Sequence, residues 1–231
     1  RDQTRFGVLR EGEMGGRLQL TNFSTDCIWI MDYPVELLGV AFNARMSVIR
    51  LANNKLILHS PGPIDDVVAE AIAELGVVCY IVAPGLFHHM HVKQAQDRYP
   101  RAETYICPGV ERRDSSLRFD RVLGSHAPAV WCGMIEQELI RGGKYVWEVA
   151  MLHKPSKTLL LVDSIEYFTD QTSGTNWQFK LLWKFVLRMW NKPKPAPEYR
   201  RGWRAALPSL SRILEWDFEK IVLSHGDNVL R

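Results

Sequence analysis

Cysteine is scarce in this 231-residue sequence, and no two cysteines have CxxC spacing. Cys27, Cys79, Cys107 and Cys132 stand far apart, three of them in apolar, strand-like runs. That excludes a dense disulfide framework or a four-cysteine zinc site, and fits reduced, buried thiols of an intracellular protein. Long hydrophobic runs are missing as well, so no transmembrane helix is expected. No internal repeat or signal peptide is visible. The sequence starts at Arg1 rather than at a methionine, as a fragment or processed form would. A cytoplasmic location is therefore expected, or an organellar one if a targeting segment precedes it. A large charge excess is also lacking, since the formal net charge is only +3. The basic residues concentrate in 178–204, where Lys180, Lys184, Arg188, Lys192, Lys194, Arg200, Arg201 and Arg204 face the single acid Glu198. The rest of the chain is net acidic, so nucleic acid is not an expected partner. Neither Ser60 nor Ser224 has a recognisable base and orienter, so a serine nucleophile is not expected.

What is present suits one α/β domain. Hydrophobic residues make up 46% and charged residues 24%, enough for a full core over 1–231. Strand-like runs succeed one another at 17–23, 27–33, 46–51 and 55–60, the last two joined by Asn53-Asn54, a pair suited to the positive φ of a tight hairpin. Asp65 or Asp66 caps a helix that stops at Gly76. Residues 77–82 (VVCYIV) read as a buried strand, 92–99 as a helix ending before Pro100, and 103–107 as another strand. The stretch 111–143 lacks a clear period and is expected to be a long loop with one short helix near 134–141. A second hairpin spans 145–153 and 158–163. Helices at 177–190 and 207–216 flank a proline-rich connector, NKPKPAPE, and a final strand, KIVLSHG, follows.

Metal-ligand side chains cluster at one place. The strand at 77–82 leads through Pro84-Gly85 to His88, His89 and His91. Two distant apolar strands end on similar residues, LLLVD at Asp163 and KIVLSHGD at His225. Strands ending in His, Asp and His point to one shared site at the strand ends.

This order of motifs, LILHSPGPID, APGLFHHMH, TLLLVD and LSHGD, resembles the metallo-β-lactamase-like superfamily over about residues 40–230. More narrowly, HSPGPID, HH, PSKTLLLVD and LSHGD resemble an uncharacterised family of its relatives. The resemblance implies a four-layer αββα sandwich. Laid on this sequence, the HxHxDH signature falls on Pro84, Leu86, His88 and His89, so both histidines that hold the first metal are absent. Near Gly143, where another ligand is expected, no histidine stands. The remaining set is His88, His89, Asp163 and His225, sufficient for one divalent ion, zinc or iron. His59 replaces the family's turn acid and is expected to orient a ligand or to be one. His91 and His153 are further candidates for the ion or its surroundings. Glu148 and His153 are five residues apart on one strand, so only one of them can face the site.

The implied activity is metal-assisted hydrolysis of an ester, lactone, thioester or phosphoester, with Asp163 or Glu148 as base. Two other classes stay open: an iron-dependent redox enzyme, and a binding protein with a degenerate site. The substrate is expected to be a small, partly apolar molecule. The segment 171–204 reads as a basic, aromatic insertion whose helix, WQFKLLWKFVLRMW, is too apolar to stand free and too short to span a bilayer. It is expected to wall an apolar pocket, with peripheral membrane contact through 177–204 as a second role.

Overall fold

The computed structural model describes residues 18–37, 39–131, 133–142, 147–200 and 202–230. Arg1, Cys132, Gly143 and Arg201, named above, and the first residues of the stretches 17–23 and 145–153, lie outside the described residues. Two mixed sheets face each other. The first has seven strands in sequence order: β1 (Thr21–Ser24), β2 (Ile28–Leu37), β3 (Val40–Arg50), β4 (Lys55–His59), β5 (Val77–Ala83), β6 (Glu103–Ile106) and β7 (Arg121–Val122). The second is ordered β12 (Val229–Leu230), β11 (Lys220–Leu223), β10 (Thr158–Leu161), β9 (Trp147–His153) and β8 (Ile135–Arg141). Helices α1 (Asp66–Leu75) and α2 (Val92–Arg98) pack on β5, and α5 (Trp203–Leu214) packs on β8, which completes the four-layer αββα sandwich. Two shorter helices, α3 (Val110–Arg113) and α4 (Trp177–Leu181), sit in the connections.

The second sheet shows why a sandwich forms. Leu139, Val149, Met151, Leu160 and Val222 join the core between the sheets. Their neighbours Ile140, Ala150, Leu159, Leu161 and Leu223 join a second core with Ala206 and Ile213 of α5. Successive side chains of a strand point to opposite faces, so a continuous apolar strand needs a layer on each side.

Local chemistry accounts for most boundaries. Asn53 and Asn54 take positive φ of 58° and 56° at the β3–β4 turn. Asp65 caps α1 by accepting from the Val68 amide at 2.8 Å, and Gly76, at φ 155°, ends it. Pro34 is accommodated in β2 because β1 covers only Ile28–Ile30, which leaves the far half of β2 as an edge.

Two expected elements differ. Residues 135–141 form strand β8 rather than a helix, paired with β9 from Ile135↔His153 to Arg141↔Trp147. Burial of Leu139 and Ile140 on opposite faces outweighs the helix propensity of IEQELIR. The helix expected over 177–190 is α-helical only to Leu181 and continues as a π turn over Leu182–Val186. It stops at Arg188, which is left-handed at φ 55°, after which Trp190 bridges to Phe168. No helix among the described residues is long and apolar enough to cross a membrane.

Candidate metal centre

Strands β4 and β5 run parallel in one sheet, β10 and β11 in the other, and the chain that follows each of them enters the same region. After β5, Gly85 forms a turn in which the His88 amide donates to the Gly85 carbonyl at 3.1 Å. Gly85 itself bridges to Glu148 across the sandwich. A Cβ there would lie 3.0 Å from Val162 Cγ2 and 3.4 Å from both Asp163 Oδ2 and His88 Cδ2. Only a residue with little bulk lets the histidine turn close on the Asp163 strand.

His88, Asp163 and His225 meet, with one ligand atom from each lying within 4.8 Å of the other two. Asp163 Oδ1 stands 3.1 Å from His88 Nε2 and 3.5 Å from His225 Nε2. The His88 and His225 ring centroids are 5.2 Å apart. Burial alone would raise the Asp163 pKa, but the two imidazoles beside it outweigh burial and hold the carboxyl well below its usual range. Its Oδ2 is buried with no hydrogen-bond partner among the described residues.

Each cluster member is fixed by a second contact. His88 Nδ1 lies 2.7 Å from Ser60 Oγ. Glu148 is fully buried and accepts from the Asp163 amide (2.7 Å), the Ser164 amide (2.5 Å) and hydroxyl (2.9 Å), and more distantly from the Val162 amide (3.3 Å). Burial, and then the nearby Asp163 charge, raise the Glu148 pKa to about 7. Glu148 thus anchors the backbone that carries Asp163. His225 Nδ1 faces the Asn43 carbonyl at 3.4 Å, and its ring meets Phe42 edge-on at 5.3 Å. The turn around it is clamped by Arg45, whose guanidinium binds Asp32 on β2, Asn228 Oδ1 at 2.8 Å and the Leu223 carbonyl. Gly226, at φ 85°, is required there, because a Cβ would fall 2.0 Å from the Tyr167 carbonyl oxygen. Asp227 then accepts from Thr169 and Thr172 at 2.6 and 2.8 Å.

Among the described residues, none of the other candidate histidines adds a ligand atom to this cluster. His89 turns its Nδ1 to the Leu86 carbonyl at 3.0 Å, because adjacent residues of a turn project in different directions. His91 stands at the start of α2 with its ring edge-on to Tyr33 at 5.3 Å. His59 is buried with its Nε2 unpartnered among the described residues, and burial, then His88, lower its pKa to about 3. His153 pairs with Thr158 at the opposite end of β9, five residues from Glu148, or about 16 Å at strand rise. Its Nδ1 meets Ser156 Oγ at 2.7 Å. Tyr33, Asn43, Arg45 and the role of Ser60 were not singled out in the sequence. Only Ser60 carried a signal, its place beside His59 in HSPGPID.

A family model described as Domain of unknown function (DUF4336) matches residues 25–203. The chain belongs to the DUF4336 family. A search of curated proteins found no match. Solved structures similar to this DUF4336 chain have the metallo-β-lactamase fold. A metallo-β-lactamase from Pontibacter korlensis is 13% identical, with a TM-score of 0.64 over 93% of this chain and 94% of that one. The FIM-1 metallo-β-lactamase from Pseudomonas aeruginosa, solved in a mono-zinc form, is 11% identical, with a TM-score of 0.61 over 93% of this chain and 90% of that one. A metal-soaked Flv1 flavodiiron core from Synechocystis sp. PCC6803 is 11% identical, with a TM-score of 0.61 over 92% of this chain and 57% of that one. At these identities the likeness concerns the fold.

Proposed function

We propose that this DUF4336 protein binds one divalent ion, zinc or iron, through His88 Nε2, Asp163 Oδ1 and His225 Nε2, and hydrolyses a small, partly apolar ester, lactone, thioester or phosphoester. The observation that carries this is the pair of spacings at Asp163. Ligand atoms bonded at about 2.0–2.1 Å to a tetrahedral ion lie about 3.3–3.4 Å apart, and Asp163 Oδ1 is 3.1 and 3.5 Å from the two imidazole nitrogens. The donor chemistry fits too. Ser60 Oγ can accept from His88 Nδ1–H, which leaves the Nε2 lone pair for an ion, and the unpartnered Asp163 Oδ2 is a carboxylate oxygen awaiting a partner. Two histidines and one carboxylate leave positions open, the arrangement of catalytic rather than structural sites.

When bound, the ion would acidify a water and polarise the scissile bond. The chain's own residues do the rest. Asp163, through its unpartnered Oδ2, is the carboxylate placed to accept a hydrogen bond from the attacking water and orient it, since Glu148 is committed to the backbone at 162–164. Phe42, edge-on to His225 and backed by the buried Phe179 at 5.6 Å, offers an apolar wall to the substrate. Two histidines with one carboxylate are also the ligand set of non-haem iron oxygenases, and the flavodiiron neighbour keeps that second reading open.

Ser60, His88 and Asp163 also stand in the order of a nucleophile, base and orienter. Ser60 is fully buried, however, so it presents no attacking oxygen to a substrate. Ser60→Ala separates the two mechanisms. Under the metal account it weakens ion affinity about 10–100-fold and excess ion restores activity. Activity that stays lost at saturating ion in a folded variant would refute that account and favour a serine nucleophile.

A further inference from the structure

We propose that the face formed by Trp177, Leu181, Phe185 and Val186, with the basic residues around it, docks on an anionic lipid bilayer. These four side chains are 70%, 51%, 71% and 67% exposed, in a protein whose other large apolar side chains are mostly buried. They lie on successive turns of one short helical segment, α4 and its π turn. The opposite side of that segment is anchored. Phe179 is fully buried, stacks on Trp183 at 4.0 Å and meets Phe168 at 4.6 Å, and the Trp183 indole donates to Glu166 at 3.1 Å. The outward residues are therefore held in place, so inserting them into an apolar phase costs little ordering.

The charge beside the face selects the partner. Lys180, Arg188, Lys192 and Arg204 belong to the same stretch, and the exposed acid Asp170 is already paired with Lys184 at 2.8 Å. Just beyond Val186 the surface dips into a cleft of about 450 Å³ lined by Leu187, Arg188, Lys194, Pro195, Tyr199 and Trp203, a mixture of basic and apolar groups. Exposed aromatic and aliphatic side chains flanked by lysine and arginine match the boundary between acyl chains and anionic headgroups. A second copy of the chain would bring the same cations against each other. Nucleic acid would leave Leu181 and Val186 without an apolar partner.

The test is co-sedimentation of the full chain with vesicles of phosphatidylcholine, with and without phosphatidylserine. Binding is expected to the vesicles that contain phosphatidylserine, with a blue shift of tryptophan emission as Trp177 leaves water. The double variant Phe185→Ser, Val186→Ser, at positions too exposed to unfold the protein, should lose binding tenfold or more. Lys192→Glu with Arg204→Glu should lower affinity for the anionic vesicles by about thirtyfold or more, since each surface cation contributes roughly fivefold. A folded wild type that stays in the supernatant overturns the proposal. So does undiminished binding of the folded Phe185→Ser, Val186→Ser protein. A wild-type dimer in sedimentation velocity that this double variant dissolves would assign the face to a second copy instead.

Discussion

Replacing Arg45 by Met probes what holds His225 in place. Arg45 is 8% exposed and reaches from β3 in the first sheet to the turn after β11 in the second. Its fork on Asp32, at 2.6 and 3.0 Å, contributes modestly, because the Asp32 side chain is 37% exposed and rehydrates when the pair is broken, about 0–1 kcal/mol. The larger part is the Leu223 carbonyl, which loses a charged donor in a buried setting at a cost of about 1–3 kcal/mol. Asn228 keeps its bond from the Leu223 amide at 3.0 Å. Met retains the apolar stem, so the total is about 1–4 kcal/mol, which at about 3 °C per kcal/mol for a domain of this size lowers Tm by roughly 3–12 °C. Because His225 follows Leu223 by two residues, ion retention should fall as well. Arg45→Lys should behave similarly, since an ammonium cannot reproduce the fork. Circular-dichroism melts and metal content after dialysis measure both effects. A Tm within about 2 °C of wild type, with unchanged ion retention, would show that the clamp does not position His225.

Gly226→Ala should destabilise by about 3 kcal/mol or more, because φ 85° and a 2.0 Å approach to the Tyr167 carbonyl both reject a side chain; a melt within about 1 kcal/mol of wild type contradicts this. Burial lowers the His153 pKa from its usual 6.5 to about 4, so the unfolded chain takes up that proton first as the solution is acidified. Stability should therefore fall by roughly 3 kcal/mol from this group between about pH 6.5 and pH 4, and urea titrations of His153→Leu should show a flatter slope over that window. Glu148→Gln should loosen Asp163, since one carboxylate oxygen becomes a donor facing the 162–164 amides, and ion affinity should drop at least tenfold; equal affinity in a competition titration would remove Glu148 from that role.

The elements read correctly in the sequence are those whose signals are local. Asp65 and Gly76 bound α1, Asn53-Asn54 make the first hairpin, and the run 77–82 needs no partner to be recognised as a strand. Asp163 and His225 were legible because each closes an apolar strand. What escaped depended on tertiary contact. IEQELIR has helix-forming residues and became β8 only because β9 pairs with it. His88 and His89 were indistinguishable in sequence, and the Gly85 turn decided between them by directing one to Asp163 and the other to Leu86. Arg45 lies about 180 residues from the turn it clamps, a separation no motif reveals.

The central claim is tested most directly by elemental analysis of protein purified without added metal, wild type beside His225→Ala. The account predicts close to one equivalent of zinc or iron per wild-type chain, and a large loss of that ion in a His225→Ala protein that keeps its fold. Undiminished metal in the folded variant, or a wild type that neither carries nor takes up an ion, would contradict a centre built from His88, Asp163 and His225.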